Sequence, residues 1–227
     1  MNDYPFERKL DAKLILSILA TGIMTFGGIL EETAMNIAFP TLMEEFSITL
    51  AFAQWLTSGY LLPLIIMMPA SAYLKKVFRM KTLFIFTCVA FLGGTLLCFA
   101  APAFIWIITG RVIQGAAAGV AVPLTFNIVL EQSPPEHLGF LVGFATMANA
   151  MAPACGPVYG GLVLQYFNWR MIFGFLIPVL ALVLILGAVS IRQSSYQDKR
   201  AVFDGKGFVF YAAALSCLVF GLNLPNS

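Results

Sequence analysis

Two acidic residues stand side by side in a stretch of sequence that is otherwise almost entirely apolar. Glu31 and Glu32 belong to residues 30–40, which read LEETAMNIAFP. Ionisable groups in such a setting are costly to bury and usually functional, as proton carriers or as partners of cationic ligands. Successive helical residues point about 100° apart, so the two carboxylates face different ways. Glu32 shares a face with Asn36, four residues on, which favours Glu32 as the acid that lines a cavity.

A structural interpretation of the same glutamates stays open. One side chain would extend toward the membrane surface, and the other would form a structural hydrogen bond.

A single arginine, Arg111, lies in a second apolar stretch, within the sequence RVIQGAAAG at residues 111–119. Its charge is effectively permanent, so it needs a carboxylate, a water-filled cavity or carbonyl oxygens as partners. We expect it to take part in coupling or in a substrate path, with a structural ion pair as the alternative. Gly115 and Gly119 follow Arg111 at four-residue steps on the same helix face, where they let another helix approach closely. We predict that both also belong to a conformational hinge.

A cluster of glycine and proline lies in a third apolar stretch, where residues 156–161 read GPVYGG. Gly156, Pro157, Gly160 and Gly161 should weaken a helix that stands on its own. Small residues also recur at every fourth position: Ala148, Ala152, Gly156 and Gly160. The pattern predicts a bendable, closely packed helix, and tight packing alone is the alternative.

The composition identifies the kind of protein that must position these residues. The 227 residues are 60% hydrophobic and 11% charged, whereas soluble domains carry about 25% charged residues. The chain is therefore predicted to be an all-α integral membrane protein that crosses the bilayer several times. Its basic residues form short clusters rather than a basic face, which argues against nucleic-acid binding. No motif of an ATPase or hydrolase and no metal-ligand spacing is present, so we predict neither an enzyme nor a cofactor.

Apolar runs long enough to span a bilayer divide the chain. Seven are predicted, at about 14–39, 50–73, 82–101, 103–130, 138–164, 170–191 and 206–224. Residues 43–46 (MEEF) are predicted to connect the first two spans. The predicted organisation is a terminal segment at 1–13, a six-helix bundle at 14–191, a linker at 192–205 and a seventh helix at 206–224.

Positive charges predict the orientation of these spans. Eleven of them fall on one side if the amino terminus is cytoplasmic: Arg8, Lys9, Lys13, Lys75, Lys76, Arg79, Lys81, Arg192, Lys199, Arg200 and Lys206. Arg170 alone falls on the outer side, and Arg111 lies within a span. We therefore predict a multi-pass protein of the cell membrane with a cytoplasmic amino terminus.

Polar and aromatic residues near the charged positions are candidates for a substrate path. They are Asn36, Trp55, Tyr60 and Gln114. Trp55, Tyr60 and Trp169 have an alternative role, because aromatic side chains near span ends commonly anchor a protein at the membrane surface.

The chain resembles the major facilitator superfamily, and within it the fourteen-helix drug:proton antiporters, over residues 14–224. Five motifs occur in the family's order: residues 30–40 in the first helix, 55–61 (WLTSGYL) at the start of the second, 111–115 (RVIQG) in the fourth, 156–161 in the fifth, and 169–173 (WRMIF) with Pro178 at the start of the sixth. Strict alignment puts the acid of the first motif at Glu31, and some relatives use the position of Glu32.

The resemblance implies a function and a fold. The fold would be a bundle of two inverted three-helix repeats followed by a linker helix. The function would be proton-coupled export of amphipathic, often cationic, small molecules. Glu31 or Glu32 would carry the proton, Arg111 would stabilise the charged acid, and the flexible helix at residues 156–161 would keep two bundles packed as they rock.

Two departures from the family pattern qualify this expectation. Residues 72–79 read AYLKKVFR, which puts Lys75 where the family has an aspartate that helps to lock the conformational gate. Family members also have two six-helix bundles, whereas this chain holds one bundle and one linking helix. A second transporter half is therefore a candidate partner, besides protons, a small-molecule substrate and the lipid bilayer.

Two alternative functions remain open from the sequence. One is proton-coupled transport of another small solute, such as a nutrient or an organic anion. The other is a truncated chain that is inactive or serves as a membrane scaffold.

Overall fold

A computed structural model describes residues 10–192 and 203–223, and its secondary structure there is helical throughout. The helices are α1 (Ala12–Phe46), α2 (Leu50–Val77), α3 (Met80–Phe99), α4 (Phe104–Gln132), α5 (Pro135–Tyr166), α6 (Met171–Gly174), α7 (Leu176–Ser190) and α8 (Gly205–Asn223). The short α6 and the longer α7 are separated only by Phe175 and together form one apolar segment, Met171–Ser190.

Six of these segments are long and apolar enough to cross a membrane, and α8 follows them as a further, shorter apolar helix. The predicted fold class, an all-α membrane bundle of six helices plus a seventh, is confirmed. Parts of the predicted organisation lie outside the described residues: residues 1–9 of the terminal segment, 193–202 of the linker, and 224.

The first helix continues further than the sequence predicts. Residues 43–46 form the last turn of α1 instead of a connection, and the helix ends at Ser47, whose φ is 52°. Tertiary contacts hold this turn: Leu42 is fully buried, and the Phe46 ring lies 6.1 Å from those of Phe104 and Trp169. The two glutamates in it suggested a loop, because sequence alone does not show that Glu45 has partners.

Those partners form a cluster at one end of the bundle. Trp169 is buried, and its Nε1 donates to Glu45 Oε2 at 2.6 Å. Arg170 donates to Glu45 Oε1 at 2.9 Å and to the Ala101 carbonyl at 3.1 Å. Trp169 therefore joins α1 to the segment before α6, a role different from the cavity-lining and surface-anchoring alternatives considered for it.

Charged residues also join helices at the opposite end. Asp11 caps α1 by accepting from the Leu14 N–H, and it forms an ion pair with Arg192, which follows α7. The Leu14 N–H holds the pKa of the Asp11 carboxyl below its usual value, and Arg192 adds to this effect.

Lys75, the residue at the family's aspartate position, is paired with Glu131 and donates to Asn127 Oδ1 at 3.1 Å. It therefore joins α2 to α4.

Glycines bring several pairs of helices into close contact. A Cβ atom at Gly115 or Gly119 of α4 would overlap the carbonyl oxygen of Tyr60 or Leu64 on α2. At Gly94 of α3 it would lie 2.8 Å from the Gly110 carbonyl oxygen on α4. The small-residue stripe of α5 packs on α1 in the same way, and these contacts fix the positions of the polar residues inside the bundle.

Candidate functional site

A charged cluster lies at the centre of the bundle, where Glu31 of α1 meets α4. The Glu31 and Arg111 side chains are both fully buried. Arg111 Nη1 lies 3.3 Å from Glu31 Oε1 and donates to Gln114 Oε1 at 3.1 Å. The acid and the arginine that the sequence places 80 residues apart thus form an ion pair shielded from the surroundings.

Arg111 has further partners on α2. Its Nε donates to the Leu56 carbonyl at 3.4 Å, and its guanidinium carbon lies 4.2 Å from the centre of the Tyr60 ring. An aromatic face attracts a cation most strongly where water is excluded. Tyr60 is buried, so the structure places this candidate substrate-path residue beside the ion pair.

Gln114 connects three helices around the acid. Its Nε2 donates to Glu31 Oε1 at 2.6 Å and to Thr95 Oγ1 at 2.9 Å, which brings α3 into the cluster. Thr95 was missed by the sequence reasoning, because a lone threonine in an apolar span commonly bonds only its own helix. It does so here as well, donating to the Phe91 carbonyl at 2.9 Å.

Two buried polar atoms of the cluster form no hydrogen bond with the described residues. Among the described residues, Glu31 Oε2 and Arg111 Nη2 have no hydrogen-bond partner. Buried polar atoms in proteins are nearly always paired, so such exceptions call for an explanation. The carboxyl group keeps its contacts through Oε1 and has Oε2 available for a proton. Chemically, a carboxylate oxygen without a hydrogen bond can accept a proton, and the neutral acid that results attracts the Arg111 guanidinium less strongly.

Glu32 has a different environment from its fully buried neighbour Glu31. It is half-buried, and Asn36 on the same face is exposed and accepts from Thr57 Oγ1 at 3.0 Å. Thr25, seven residues before Glu32, donates to Asn149 Oδ1 of α5 at 3.0 Å. Glu32 as a cavity-lining acid stays a prediction, supported by this polar stripe.

Trp55 is the remaining candidate for the substrate path. Trp55 is half-buried near the start of α2, and Asn149 is a polar residue that the sequence reasoning did not single out. Among the described residues, no group of three or more His, Cys, Asp or Glu side chains could hold a metal ion.

The four predicted hinge residues of α5 do not share one environment. A Cβ atom at Gly156 would overlap the Thr33 side chain, and one at Gly160 would lie 2.8 Å from the Ala34 carbonyl oxygen. At Gly161 it would meet no atom within 4 Å, and Pro157 is exposed. Helix α5 is continuous through the cluster. Gly156 and Gly160 therefore pack α5 against the α1 residues that follow the two glutamates, and a hinge role stays a prediction.

This difference predicts opposite effects for two glycines of one motif. Gly156→Ala should destabilise the protein by about 2 kcal/mol, because overpacking a filled interface costs about 1–3 kcal/mol. Gly161→Ala should be neutral or slightly stabilising, since alanine is the better helix former by up to about 1 kcal/mol. Thermal unfolding of both variants in detergent measures the difference. Equal losses of stability would contradict the placement of Gly161 on an open face.

Comparisons with known proteins bear on the family and the fold of the chain. Residues 21–223 match the family model described as Major Facilitator Superfamily. The chain is 35% identical over 210 residues to the lincomycin resistance protein LmrB of Bacillus subtilis, covering 92% of this chain and 43% of that protein. It is 29% identical over 205 residues to the multidrug export protein EmrB of Haemophilus influenzae, covering 90% and 40%. The chain thus spans less than half the length of these curated relatives.

A solved structure has the same fold. The crystal structure of the peptide transporter POT superposes with a TM-score of 0.69 at 13% identity, covering 92% of this chain and 46% of that one. At that identity the likeness concerns the fold alone.

Proposed function

Because the chain belongs to the Major Facilitator Superfamily, we propose that it forms the amino-terminal half of a proton-coupled exporter of amphipathic small molecules. The observation that carries this proposal is the buried ion pair of Glu31 and Arg111, with one carboxylate oxygen unused. The names of LmrB and EmrB, a drug resistance protein and a drug exporter, support the substrate class.

Proton binding at Glu31 would act on a conformational equilibrium. The charged acid attracts Arg111 and keeps α1 close to α4. A proton on Oε2 neutralises the acid and leaves the arginine with the Leu56 carbonyl, Gln114 and the Tyr60 ring. The protonated and unprotonated clusters therefore stabilise different arrangements of α1 and α4, and a ligand that binds one arrangement better shifts the population toward it.

Substrate binding would use the other acidic residue. Glu32, Asn36 and Thr57 lie outside the buried cluster and offer a carboxylate beside amide and hydroxyl groups. Such a surface suits a lipophilic cation, which pairs with the carboxylate and packs on apolar side chains. In this fold the substrate site lies between two bundles, so the second wall would come from a second transporter half. The protein would lie in the cell membrane with a cytoplasmic amino terminus, which the distribution of basic residues supports.

Transport in inside-out vesicles tests the proposal. Vesicles from cells that make the chain together with a carboxyl-terminal half of a related exporter should accumulate ethidium when their interior is acidified. A protonophore should abolish the accumulation. Vesicles with either half alone are the controls, and they should show only background uptake.

Other results would select another function. Movement of ethidium or another solute together with the proton would contradict export by exchange. Absence of transport with any second half, in vesicles that contain the folded chain, would favour a scaffolding role.

A further inference from the structure

A cavity lies between α2 and α8, and none of the residues that line it belongs to the buried ion-pair cluster. Its volume is about 380 Å³, and its lining combines two opposite charges with aromatic rings. The charged and aromatic residues of the lining include Tyr73 and Lys76 on α2, Asp204 just before α8, and Phe208 and Tyr211 on α8. Nothing in the proposed transport cycle uses this cavity.

The cavity has a charged end and an apolar end. Lys76 is in the last turn of α2, and Asp204 directly precedes α8, so both charges lie where the two helices reach the membrane surface. Pro69 and Tyr211, each seven residues further into its helix, line the other end. At 1.5 Å per residue, the cavity extends about 10 Å from the charges toward the membrane interior. A ligand that fills it must place its charged groups at the membrane surface and its apolar part toward the membrane interior.

Both charges are available at the open end. Lys76 and Asp204 are exposed, and in the described part of the chain no ion pair engages Lys76, whereas its neighbour Lys75 is paired with Glu131. Asp204 accepts from the Gly207 N–H at 2.9 Å through Oδ1, and its charge is not neutralised by that bond. A ligand with an anionic and a cationic group is therefore complementary to this end.

Aromatic side chains of the lining connect the two helices. The rings of Tyr73 and Phe203 lie 4.8 Å apart, and those of Phe203 and Phe208 lie 5.3 Å apart. Tyr211 donates to the Ile65 carbonyl at 3.2 Å. These contacts leave an apolar wall on which the glycerol backbone and the first acyl carbons of a lipid can pack.

We propose that this cavity binds one phospholipid with a zwitterionic head group, with its phosphate at Lys76 and its ammonium at Asp204. A primary ammonium, as in phosphatidylethanolamine, suits the carboxylate best because it donates hydrogen bonds. The bound lipid would join α8 to the bundle.

Lipid retention on the purified protein tests this site. The delipidated chain is mixed with phosphatidylethanolamine, phosphatidylcholine or phosphatidylglycerol, and bound lipid is counted by native mass spectrometry. We expect one phosphatidylethanolamine to be retained in preference to phosphatidylglycerol. Lys76→Gln should weaken retention about fivefold, the size expected for one lysine near lipid phosphate. Asp204→Asn should remove the preference over phosphatidylglycerol. Lys81→Gln, at an exposed lysine outside the cavity, is the matched control.

Three results would overturn the proposal. The first is equal retention of the three lipids by the unmodified chain, a measurement that needs no variant. The second is the same loss of retention in Lys81→Gln as in Lys76→Gln. The third is displacement of the lipid by soluble glycerophosphoethanolamine at equal concentration, which would identify a head-group site that does not use the apolar wall.

Discussion

Glu31→Gln should reduce proton-driven accumulation of ethidium to the level of vesicles that lack the protein. Glutamine has nearly the shape of the protonated acid, so the cluster would be held permanently in its neutral arrangement. A pH gradient could then no longer shift the equilibrium between the two states. The measurement is initial uptake into inside-out vesicles at equal protein amounts, with the second transporter half present.

The same substitution should also lower stability, and Arg111→Gln is the informative comparison. Removing Glu31 leaves a buried arginine that cannot lose its charge, and breaking a buried pair in this way costs about 3–5 kcal/mol. Removing Arg111 leaves a carboxyl group that can neutralise itself by binding a proton. We therefore expect Glu31→Gln to lower the unfolding temperature in detergent more than Arg111→Gln does.

Glu32→Gln provides the control for proton coupling. It should keep gradient-driven transport and weaken the affinity for cationic substrates. Full transport by Glu31→Gln, together with loss of transport in Glu32→Gln, would show that Glu32, and not Glu31, carries the proton.

Gly115→Ala should destabilise the bundle by about 3 kcal/mol, the upper end of the usual cost of overpacking. Its Cβ would overlap the Tyr60 carbonyl oxygen, and a backbone atom of a packed helix cannot rotate away. Helices α2 and α4 would have to separate, and this would also move Tyr60 from the Arg111 guanidinium. Chemical unfolding monitored by tryptophan fluorescence measures the loss.

Gly93→Ala is the matched control for this prediction, because a Cβ atom there meets nothing within 4 Å. It should leave stability unchanged or raise it by up to about 1 kcal/mol, the helix-propensity difference. A stable Gly115→Ala variant would show that the two helices are less closely packed than described.

The helices were predictable because membrane spans carry their signal locally. A run of about 20 apolar residues is required whatever lies beside it, and the described helices contain the predicted spans apart from small shifts at their ends. The end of α1 was not predictable, because Glu44 and Glu45 have loop-like polarity. Only the distant Trp169 and Arg170 give Glu45 its partners.

The candidate site was predictable in its residue types and not in its pairing. Sequence alone singled out Glu31, Glu32 and Arg111, since the cost of a charge in an apolar span depends only on local surroundings. It favoured Glu32 as the cavity-lining acid, and it could not show that Glu31 meets Arg111. That contact depends on how closely α1 and α4 approach each other in the assembled bundle.

The sequence by itself therefore determined that this protein spans a membrane, where its helices run, and which few residues are able to carry charge inside it. Tertiary structure alone decided that Glu31, and not Glu32, pairs with Arg111, that Thr95 joins them, and that Gly156 is packed while Gly161 is open. The physical reason is that hydropathy and helix periodicity act between neighbours in the chain. Ion pairs and packing act between residues that only the assembled helices bring together.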